Sequence, residues 1–243
     1  MSDLPNRWRA RLDVLATLAM ISASGALVWA VVSSVGRVTP SEAKALNSPR
    51  RPKPIPTTPI SLDGTAVRGL AAARVGVIEF SDFECPYCAR FHERTYPRVL
   101  SEYVNTGKVL FAFRHLPIEQ IHAGAFRAAE AAECADAQGK FWPMVDMLFQ
   151  PPRTFDAEAL AVRAERAGLV LPRFELCLAG EVAEEVRRDI REAKALGINS
   201  TPSFLMGVMG EGGRLKVLRH ESGAVPPDAF VRMLDELLGT ASK

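Results

Sequence analysis

The motif Cys85-Pro86-Tyr87-Cys88 stands where an apolar, strand-like run gives way to a helical pattern. The run Val75 to Phe80 is mostly apolar, as a buried strand requires, and the helical pattern extends from Pro86 to about Asn105. A Cys-x-x-Cys motif in this setting is typical of redox sites. The motif therefore predicts a strand, turn and helix of an α/β domain in which the turn carries the chemistry.

The two cysteines are placed for different tasks. Cys85 falls at the predicted N-cap, where free backbone N–H groups and the positive end of the helix dipole favour a thiolate. Pro86 suits the first helical position, because its missing N–H would be unpaired there. Cys88 lies on the same helix face, so its sulfur can form a disulfide with Cys85 or attack a mixed disulfide on it. We therefore expect Cys85 to be an exposed nucleophile and Cys88 to be the resolving thiol.

Two other interpretations of the motif stay open, namely half of a zinc site and a structurally inert pair. A zinc ribbon needs a second pair of cysteines at similar spacing. The remaining cysteines, Cys134 and Cys177, stand alone in the sequence, and no His-x-x-x-His pattern or carboxylate cluster supports a metal. Redox chemistry is the favoured interpretation, and it requires neither a metal nor a cofactor.

The rest of the chain alternates strand and helix signals. Short strands are predicted at 60–62 and 109–115, and a hairpin at 203–208 and 215–219. The region between has helical texture in the segments 122–138, 140–149, 156–168, 172–179 and 181–196, and a closing helix is predicted at 227–238. This order predicts an α/β fold, a sheet covered by helices with an inserted helical domain at about 119–197.

The N-terminus predicts a membrane segment. Residues 14–35 include no charged residue, and a helix of 22 residues spans about 33 Å, enough for a bilayer core. Arg7, Arg9 and Arg11 precede this run, so the positive-inside rule keeps residues 1–13 in the cytoplasm and sends the rest of the chain across. A cleaved signal peptide and a buried core helix are the alternatives. Whether the segment is an anchor or a signal peptide, the body lies where disulfides persist.

Composition separates a tether from the body of the chain. Residues 36–58 are rich in proline and predict a semi-rigid linker that leads to the body at 59–243. Residues 1–59 carry a net charge of +5, and residues 60–243 carry a net charge of −3. A slightly acidic body argues against a nucleic-acid-binding protein, which would concentrate basic charge on its folded part.

Several segments together resemble a known family. Residues 78–88 read IEFSDFECPYC, which is similar to the active-site segment of DsbA-like thiol:disulfide oxidoreductases of the thioredoxin superfamily, in their membrane-anchored or secreted bacterial branch. The segments FRHLP at 113–117, QGKFW at 138–142 and GINSTPSF at 197–204 match further family segments in the same order. The resemblance covers 59–243. It implies a thioredoxin fold with an inserted helical domain, and disulfide exchange in the bacterial periplasm or another extracytoplasmic space.

The resemblance also implies roles for residues outside the motif. Glu79 matches a buried acid that lies beneath the cysteines and shuttles the proton of the resolving thiol, and burial favours the uncharged form of a carboxyl group. A strand-edge glutamate facing water is the alternative. Thr201-Pro202 matches a cis-proline loop opposite the active site, where the backbone of Thr201 would pair with an unfolded substrate strand. The alternative is an ordinary proline at the start of a strand. With Pro86 and Tyr87, these residues form the expected substrate-binding surface.

The remaining cysteines and the histidines receive mostly structural expectations. Cys134 and Cys177 fall in predicted helices of the insertion, and a pair of leftover thiols in an oxidising compartment indicates a structural disulfide; two separate buried thiols are the alternative. His92 lies four residues after Cys88, within reach of the active site, but a solvated helix face is the favoured place for it. Structural or surface positions are expected for the others, His115, His122 and His220.

The direction of disulfide exchange depends on the reduction potential of Cys85–Cys88. An oxidase that passes its disulfide to exported, unfolded or partly folded Cys-containing proteins is the favoured hypothesis, with a DsbB-type or other quinone-linked membrane oxidase as regenerating partner. The alternatives are a reductase or isomerase, and a copper-assembly thiol chaperone with Cu(I) on the two cysteines. The acidic neighbours Asp82 and Glu84 would raise the pKa of Cys85 and weaken its oxidising power, although exposure to solvent would leave that effect small.

Overall fold

A mixed sheet forms the centre of the computed structural model, which describes residues 53–180 and 182–241. Its strands are β1 (Ile60–Ser61), β2 (Ala66–Arg68), β3 (Val75–Ser81), β4 (Val109–His115), β5 (Ser203–Met209) and β6 (Arg214–Ser222). They lie in the order β1-β6-β5-β3-β4-β2. Only the β3–β4 pairing is parallel among the described strands, with Glu79 opposite Phe113 and Ser81 opposite His115. The central strand β3 therefore ends in the middle of the sheet, where the cysteine motif follows.

Strand β3 is buried on both faces, as its apolar sequence predicts. Side chains alternate between the two faces of a strand. Val75 and Val77 pack on one face against Phe91 and Phe230, while Ile78 and Phe80 pack on the other. Glu79 and Ser81 continue the first of these series, so the two polar side chains of the strand share the face that the following helix covers.

The helix that was predicted from Pro86 to about Asn105 is interrupted. Helix α1 (Pro86–Arg94) is followed by a short helix α2 (Tyr96–Val99) and a π-helical turn at Leu100–Val104. Pro97 has no N–H to donate within the helix, and Thr95 turns its hydroxyl to the carbonyl of Val225 at 2.8 Å. The prediction of one continuous helix was therefore wrong at Thr95.

Strand β2 has no counterpart among the sequence-based predictions. It has three residues, too few for a visible alternating pattern, and it pairs antiparallel with β4. Its Val67 carbonyl also accepts a hydrogen bond from Trp142 Nε1 at 2.9 Å. Pairing with β4 and this contact with the insertion hold a segment that local sequence does not mark as a strand.

The helical insertion between β4 and β5 has the predicted number of segments within its described residues. Its helices are α3 (Ala125–Asp136), α4 (Phe141–Leu148), α5 (Ala157–Arg166), α6 (Leu171–Leu178) and α7 (Ala183–Ala195). Gly197 ends this block with a φ of 70°, a left-handed backbone conformation that favours glycine. Buried side chains of α3, α4 and α6 form one apolar cluster with Cys85 and Cys88, so the insertion packs directly on the motif.

The C-terminal elements return the chain to the sheet. Strands β5 and β6 form the predicted hairpin, and helix α8 (Pro227–Ala241) packs beside β5 and α1 through Phe230. The helix continues past Gly239, where the sequence predicted its end. The predicted tail at 1–13, the anchor at 14–35 and most of the linker at 36–58 lie outside the described residues. Among the helices that are described, none has the length and apolar character that a bilayer crossing demands.

Candidate active site

The motif occupies the start of α1, with Cys85 as the N-cap and Pro86 at the beginning of the helix. The carbonyl of Cys85 accepts the N–H of Ala89 at 3.1 Å, and the first turn holds no acidic residue. Both cysteines are free thiols in this structure. Cys88 is fully buried and Cys85 is 5% exposed, so the expectation of an exposed nucleophile was wrong. Cys85 is covered because the loop that contains Thr201 lies over its sulfur.

The surroundings of Cys85 favour its thiolate. Its pKa is lowered from 9.0 to about 5, first by a hydrogen bond from the Cys88 side chain, and then by the Thr201 side chain and by the backbone N–H groups of Cys88 and Tyr87. Burial acts in the opposite direction, and it is outweighed. The sequence predicts a lowered pKa from the free N–H groups at the start of the helix. In the structure the neighbouring Cys88 thiol makes the largest contribution to the lowered pKa.

Cys88 has the opposite character. Burial raises its pKa well above the ordinary value, and the nearby Cys85 sulfur and Glu79 charge raise it further. The neighbouring Ser81 side chain lowers the pKa of Cys88 and only partly compensates. Two thiols one helical turn apart are therefore poised as a thiolate and a protonated thiol, as nucleophile and resolving group require.

The loop opposite the motif is formed by Thr201 and Pro202, joined by a cis peptide bond. The Cys85 thiol donates a hydrogen bond to the carbonyl oxygen of Thr201 at 3.5 Å. The Thr201 hydroxyl is buried and has no hydrogen-bond partner among the described residues, but it lies close enough to Cys85 to lower the pKa of that thiol. The structure thus places both polar groups of Thr201 at the sulfur of Cys85.

The turn before Cys85 is held by the buried side chain of Asp82. Its oxygens accept hydrogen bonds from the backbone N–H groups of Glu84 at 2.8 Å, Cys85 at 3.2 Å and Ile118 at 2.8 Å, and His122 Nδ1 lies 2.8 Å away. The acidic neighbours were expected to raise the pKa of Cys85 or to be screened by solvent. Asp82 is instead engaged with local donors, and the pKa of Cys85 is lowered.

Glu79 is completely buried on the α1 face of β3, so the alternative of a strand-edge glutamate facing water does not hold. The Ser81 hydroxyl donates to Glu79 Oε1 at 2.8 Å, and it is also within hydrogen-bonding reach of the Cys88 sulfur. Glu79 is close enough to Cys88 to influence its pKa. The structure therefore brings the carboxylate of Glu79 close to Cys88, with the Ser81 hydroxyl between them.

His92 lies in this buried cluster, and the expectation of a solvated helix face was wrong. Its Nε2 is 3.0 Å from Glu79 Oε2 and 3.2 Å from Glu79 Oε1. Its ring stacks on Phe149 with centroids 3.8 Å apart and an interplanar angle of 16°. Phe149 follows α4 of the insertion, so packing between distant segments covers a side chain that the local helix pattern would leave in solvent.

Cys134 and Cys177 are joined by a disulfide between α3 and α6, with Cα atoms 5.7 Å apart. The bond lies within the same apolar cluster as Cys85 and Cys88, but it leaves both of those thiols free. The separate-thiol alternative therefore does not describe this structure. The bond fastens two helices of the insertion to each other.

One group of potential metal ligands occurs within the described residues, formed by His115, Glu133 and Asp189. His115 Nε2 is 2.9 Å from Glu133 Oε1, and the backbone N–H of His115 donates to Asp189 at 3.0 Å. Arg188 lies 3.5 Å from Asp189. These groups contact one another where α3 and α7 meet β4, while the buried His115 Nδ1 has no hydrogen-bond partner among the described residues. The group does not include either cysteine of the motif.

The fold and the site are similar to those of known proteins. The family model described as Thioredoxin matches residues 61–209, which include β3, the motif, the insertion and the Thr201–Pro202 loop. This chain belongs to the thioredoxin family. The sequence-based prediction of a thioredoxin fold with a helical insertion is confirmed for the described residues.

Solved structures share the arrangement of a DsbA-like fold. The crystal structure of α-DsbA1 from Wolbachia pipientis has a TM-score of 0.65 and 23% identity, and it covers 75% of this chain and 95% of its own. Oxidised BdbD from Bacillus subtilis has a TM-score of 0.63 and 23% identity, and it covers 76% of this chain and 98% of its own. At this level of identity the comparison establishes the fold.

A curated relative has a different description. The Na(+)/H(+) antiporter NhaA 3 of Salinispora tropica is 33% identical over 227 residues, which are 82% of this chain and 34% of that protein. The chain thus spans about a third of the length of this relative. The similarity concerns that matched third, and the antiporter name describes the longer protein.

Proposed function

We propose that this protein is a thiol:disulfide oxidoreductase that introduces disulfides into exported, unfolded or partly folded proteins. The observation that carries the proposal is the opposite acid–base character of Cys85 and Cys88 at the start of one helix. A thiolate and a protonated thiol in contact are what stepwise disulfide exchange uses.

The exchange proceeds through a mixed disulfide. A substrate thiolate attacks Cys85 Sγ of the oxidised pair, which forms a substrate–Cys85 bond and releases Cys88 as the leaving sulfur. A second thiolate of the same substrate then attacks the substrate sulfur of this mixed disulfide. This attack forms the substrate disulfide and releases Cys85 as a thiolate. The substrate loses two electrons and the Cys85–Cys88 pair gains them. Cys85 leaves readily because its pKa is about 5.

Cys88 requires a proton in the same sequence. Burial raises its pKa, so the released Cys88 sulfur takes up a proton, and it must lose one when the disulfide is formed again. Glu79 is the buried acid beneath it and serves as donor and acceptor for this proton. The role that the family resemblance implies for Glu79 therefore fits its position.

The low pKa of Cys85 favours an oxidase over a reductase. A stabilised thiolate stabilises the reduced protein, and a stable reduced form makes the disulfide a stronger oxidant. For a copper chaperone, His92 was the only nearby candidate for an additional ligand, but its Nε2 is held by Glu79. The reductase or isomerase and copper-assembly hypotheses are therefore secondary.

Substrate would bind around the covered Cys85. The Thr201 backbone lies at the sulfur and offers groups for pairing with an extended chain, beside Pro202. Pro86 and Tyr87 border the same sulfur, and Tyr87 is 53% exposed with Arg90 over its ring at 5.4 Å. An extended, apolar cysteine segment suits this surface better than a folded protein does.

The place of action and the partner follow from the proposed direction. An oxidase must be reoxidised, and a DsbB-type or other quinone-linked membrane enzyme would accept its electrons. Anchoring by residues 14–35 in the bacterial inner membrane would hold the catalytic domain in the periplasm or extracytoplasmic space. Exported Cys-containing proteins emerge in that compartment.

Trapping experiments test the proposal. Cys88→Ser should accumulate mixed disulfides with exported proteins on Cys85, because no resolving thiol remains, whereas Cys85→Ser should form none. Non-reducing gels of both variants, expressed in a bacterial envelope, show the adducts directly. Adducts on Cys85→Ser and their absence on Cys88→Ser would reverse the roles, and the absence of adducts on both would contradict the function.

A further inference from the structure

The buried polar groups around Cys88 form a continuous line through the domain. Starting at the sulfur, the line runs through the Ser81 hydroxyl to Glu79 Oε1 at 2.8 Å, and from Glu79 Oε2 to His92 Nε2 at 3.0 Å. Ser81 and Glu79 are 1% exposed or less, and His92 is 9% exposed. These described contacts connect Cys88 through Ser81 and Glu79 to His92.

The far end of the line opens on a cavity. His92 borders a surface cavity of about 440 Å³ between α1, α2 and the segment after α4, together with Ala89, Tyr96 and Phe149. The stacked Phe149 ring fixes the plane of the imidazole there. One side of His92 thus meets the buried carboxylate and the other meets a space large enough for several water molecules.

We propose that Ser81, Glu79 and His92 form a proton relay that connects the sulfur of Cys88 with solvent in this cavity. The inference rests on the proposed function and adds two residues to it, Ser81 as the bridging hydroxyl and His92 as the group that exchanges the proton with water.

The relay reverses its hydrogen bonds when the proton moves. In the reduced protein the Cys88 S–H donates to the Cys85 sulfur and the Ser81 hydroxyl donates to Glu79. In the mixed disulfide Cys85 is bonded to substrate, so the Cys88 S–H turns to Ser81 Oγ. When Cys88 attacks the mixed disulfide, its sulfur bonds to Cys85, the Cys85–substrate bond breaks, and the S–H proton passes to Ser81 Oγ as the Ser81 proton passes to Glu79. The substrate leaves with the electron pair of the broken bond.

The final transfer releases a proton to solvent. His92 Nε2–H donates to Glu79, so as Glu79 takes up the Ser81 proton, the protonated ring of His92 releases its Nδ1 proton to water in the cavity, and the net charge of the pair is unchanged. Reduction runs the same steps backwards, so one proton enters for each Cys88 sulfur that is released. Imidazole suits this position because it exchanges protons near neutral pH.

Other charged and titratable groups lie around His92, and their effects on the pH dependence must be distinguished from that of His92. The cavity and the elements around it contribute Glu93 and Cys88 from α1, Tyr96 from α2, Asp146 from α4, Arg153 after α4 and Arg68 from β2. Arg68 is 3.6 Å from Asp146 and 3.3 Å from the Tyr96 hydroxyl, so these three groups engage one another. Glu93 is exposed and serves as a matched control, because it borders the cavity without touching the relay.

Stopped-flow oxidation of the reduced protein by glutathione disulfide separates the two steps. Cys85 first attacks glutathione disulfide and releases one glutathione thiolate, and Cys88 then attacks Cys85 Sγ and releases the second. Ser81→Ala and Glu79→Gln should slow only the second step, by about 10- to 100-fold, at or below the low end of general acid–base effects. Ser81→Thr keeps the hydroxyl and should retain a rate near that of the wild type.

His92→Gln keeps a hydrogen-bond donor for Glu79 and removes the titration. It should slow the second step and change its pH dependence, whereas Glu93→Gln should leave both the rate and the profile unchanged. Wild-type rates and profiles in both Ser81→Ala and His92→Gln would overturn the relay while leaving the exchange function intact. Failure of the wild type to form any glutathione adduct on Cys85 would instead contradict the proposed function.

Discussion

Each sulfur of the motif takes its character from a few neighbouring groups. The pKa of Cys85 falls to about 5 because the Cys88 side chain, the nearby Thr201 side chain and the first backbone N–H groups of α1 favour its thiolate. Cys88 lies one turn deeper, where burial dominates and raises its pKa. The same helix start thus supplies a reactive thiolate and a protected thiol.

Removing the Thr201 hydroxyl tests its contribution to the thiolate. Thr201→Val keeps the shape of the side chain but takes away the hydroxyl that lowers the pKa of Cys85, so that pKa should rise from about 5. The thiolate would then be present over a narrower pH range, because on acidification it would be protonated at a higher pH than in the wild type. Ultraviolet absorbance of the thiolate during a pH titration measures this directly.

Thr201→Ser is the matched control, because it retains a hydroxyl at the same position. Its titration midpoint should stay close to that of the wild type. Equal midpoints for Thr201→Val and the wild type would show that the hydroxyl does not contact the Cys85 sulfur.

The residues of the site were unequally predictable. Helix-capping rules and the motif place Cys85 and Cys88 from local sequence alone, and the family resemblance adds Glu79 and Thr201. The alternation of β3 carried a signal for Ser81, since residues two apart share a strand face. Burial of His92 could not be read in this way, because Phe149 and the insertion cover it through packing between distant segments.

The insertion is the element that encloses the motif on one side. Helices α3, α4 and α6 contribute to the cluster that contains both cysteines of the motif, and the Cys134–Cys177 bond joins α3 to α6. The bond closes a loop with a sequence separation of 43 residues. A cross-link of that span restricts the unfolded chain and stabilises the fold by up to about 4 kcal/mol in chain-entropy estimates.

Replacing both cysteines of this bond should weaken the domain without altering its redox pair. The double variant Cys134→Ala, Cys177→Ala should lower the melting temperature, and the Cys85–Cys88 potential should remain near the wild-type value. Calorimetry and a glutathione equilibrium provide the two measurements. An unchanged melting temperature, or a large shift in potential, would contradict a purely structural role.

Elements with strong periodic patterns were predicted well, and those that depend on tertiary contacts were not. The hairpin of β5 and β6 and the helices of the insertion follow their local patterns closely. The break at Thr95 comes from Pro97 together with the contact to Val225, and β2 exists through its pairing with β4. These two features need partners far away in the sequence, which local patterns do not contain.

Across the whole molecule, the site joins segments that are far apart in the chain. Asp82 holds the backbone of Ile118, Cys85 lies against Thr201 at a sequence separation of 116, and His92 stacks on Phe149. The sheet brings these segments together because β3 lies between β4 and β5. The reactivity of the motif is therefore a property of the folded domain and is not contained in the Cys-x-x-Cys segment alone.

The reduction potential of the Cys85–Cys88 pair tests the proposed oxidase most directly. Equilibration of the purified protein with defined ratios of glutathione to glutathione disulfide, followed by quantification of the two thiols, gives the value. Because the Cys85 thiolate stabilises the reduced form, the potential should lie above about −200 mV, toward the value of about −120 mV for DsbA. A potential near that of thioredoxin, about −270 mV, would contradict the oxidase and identify the protein as a reductase.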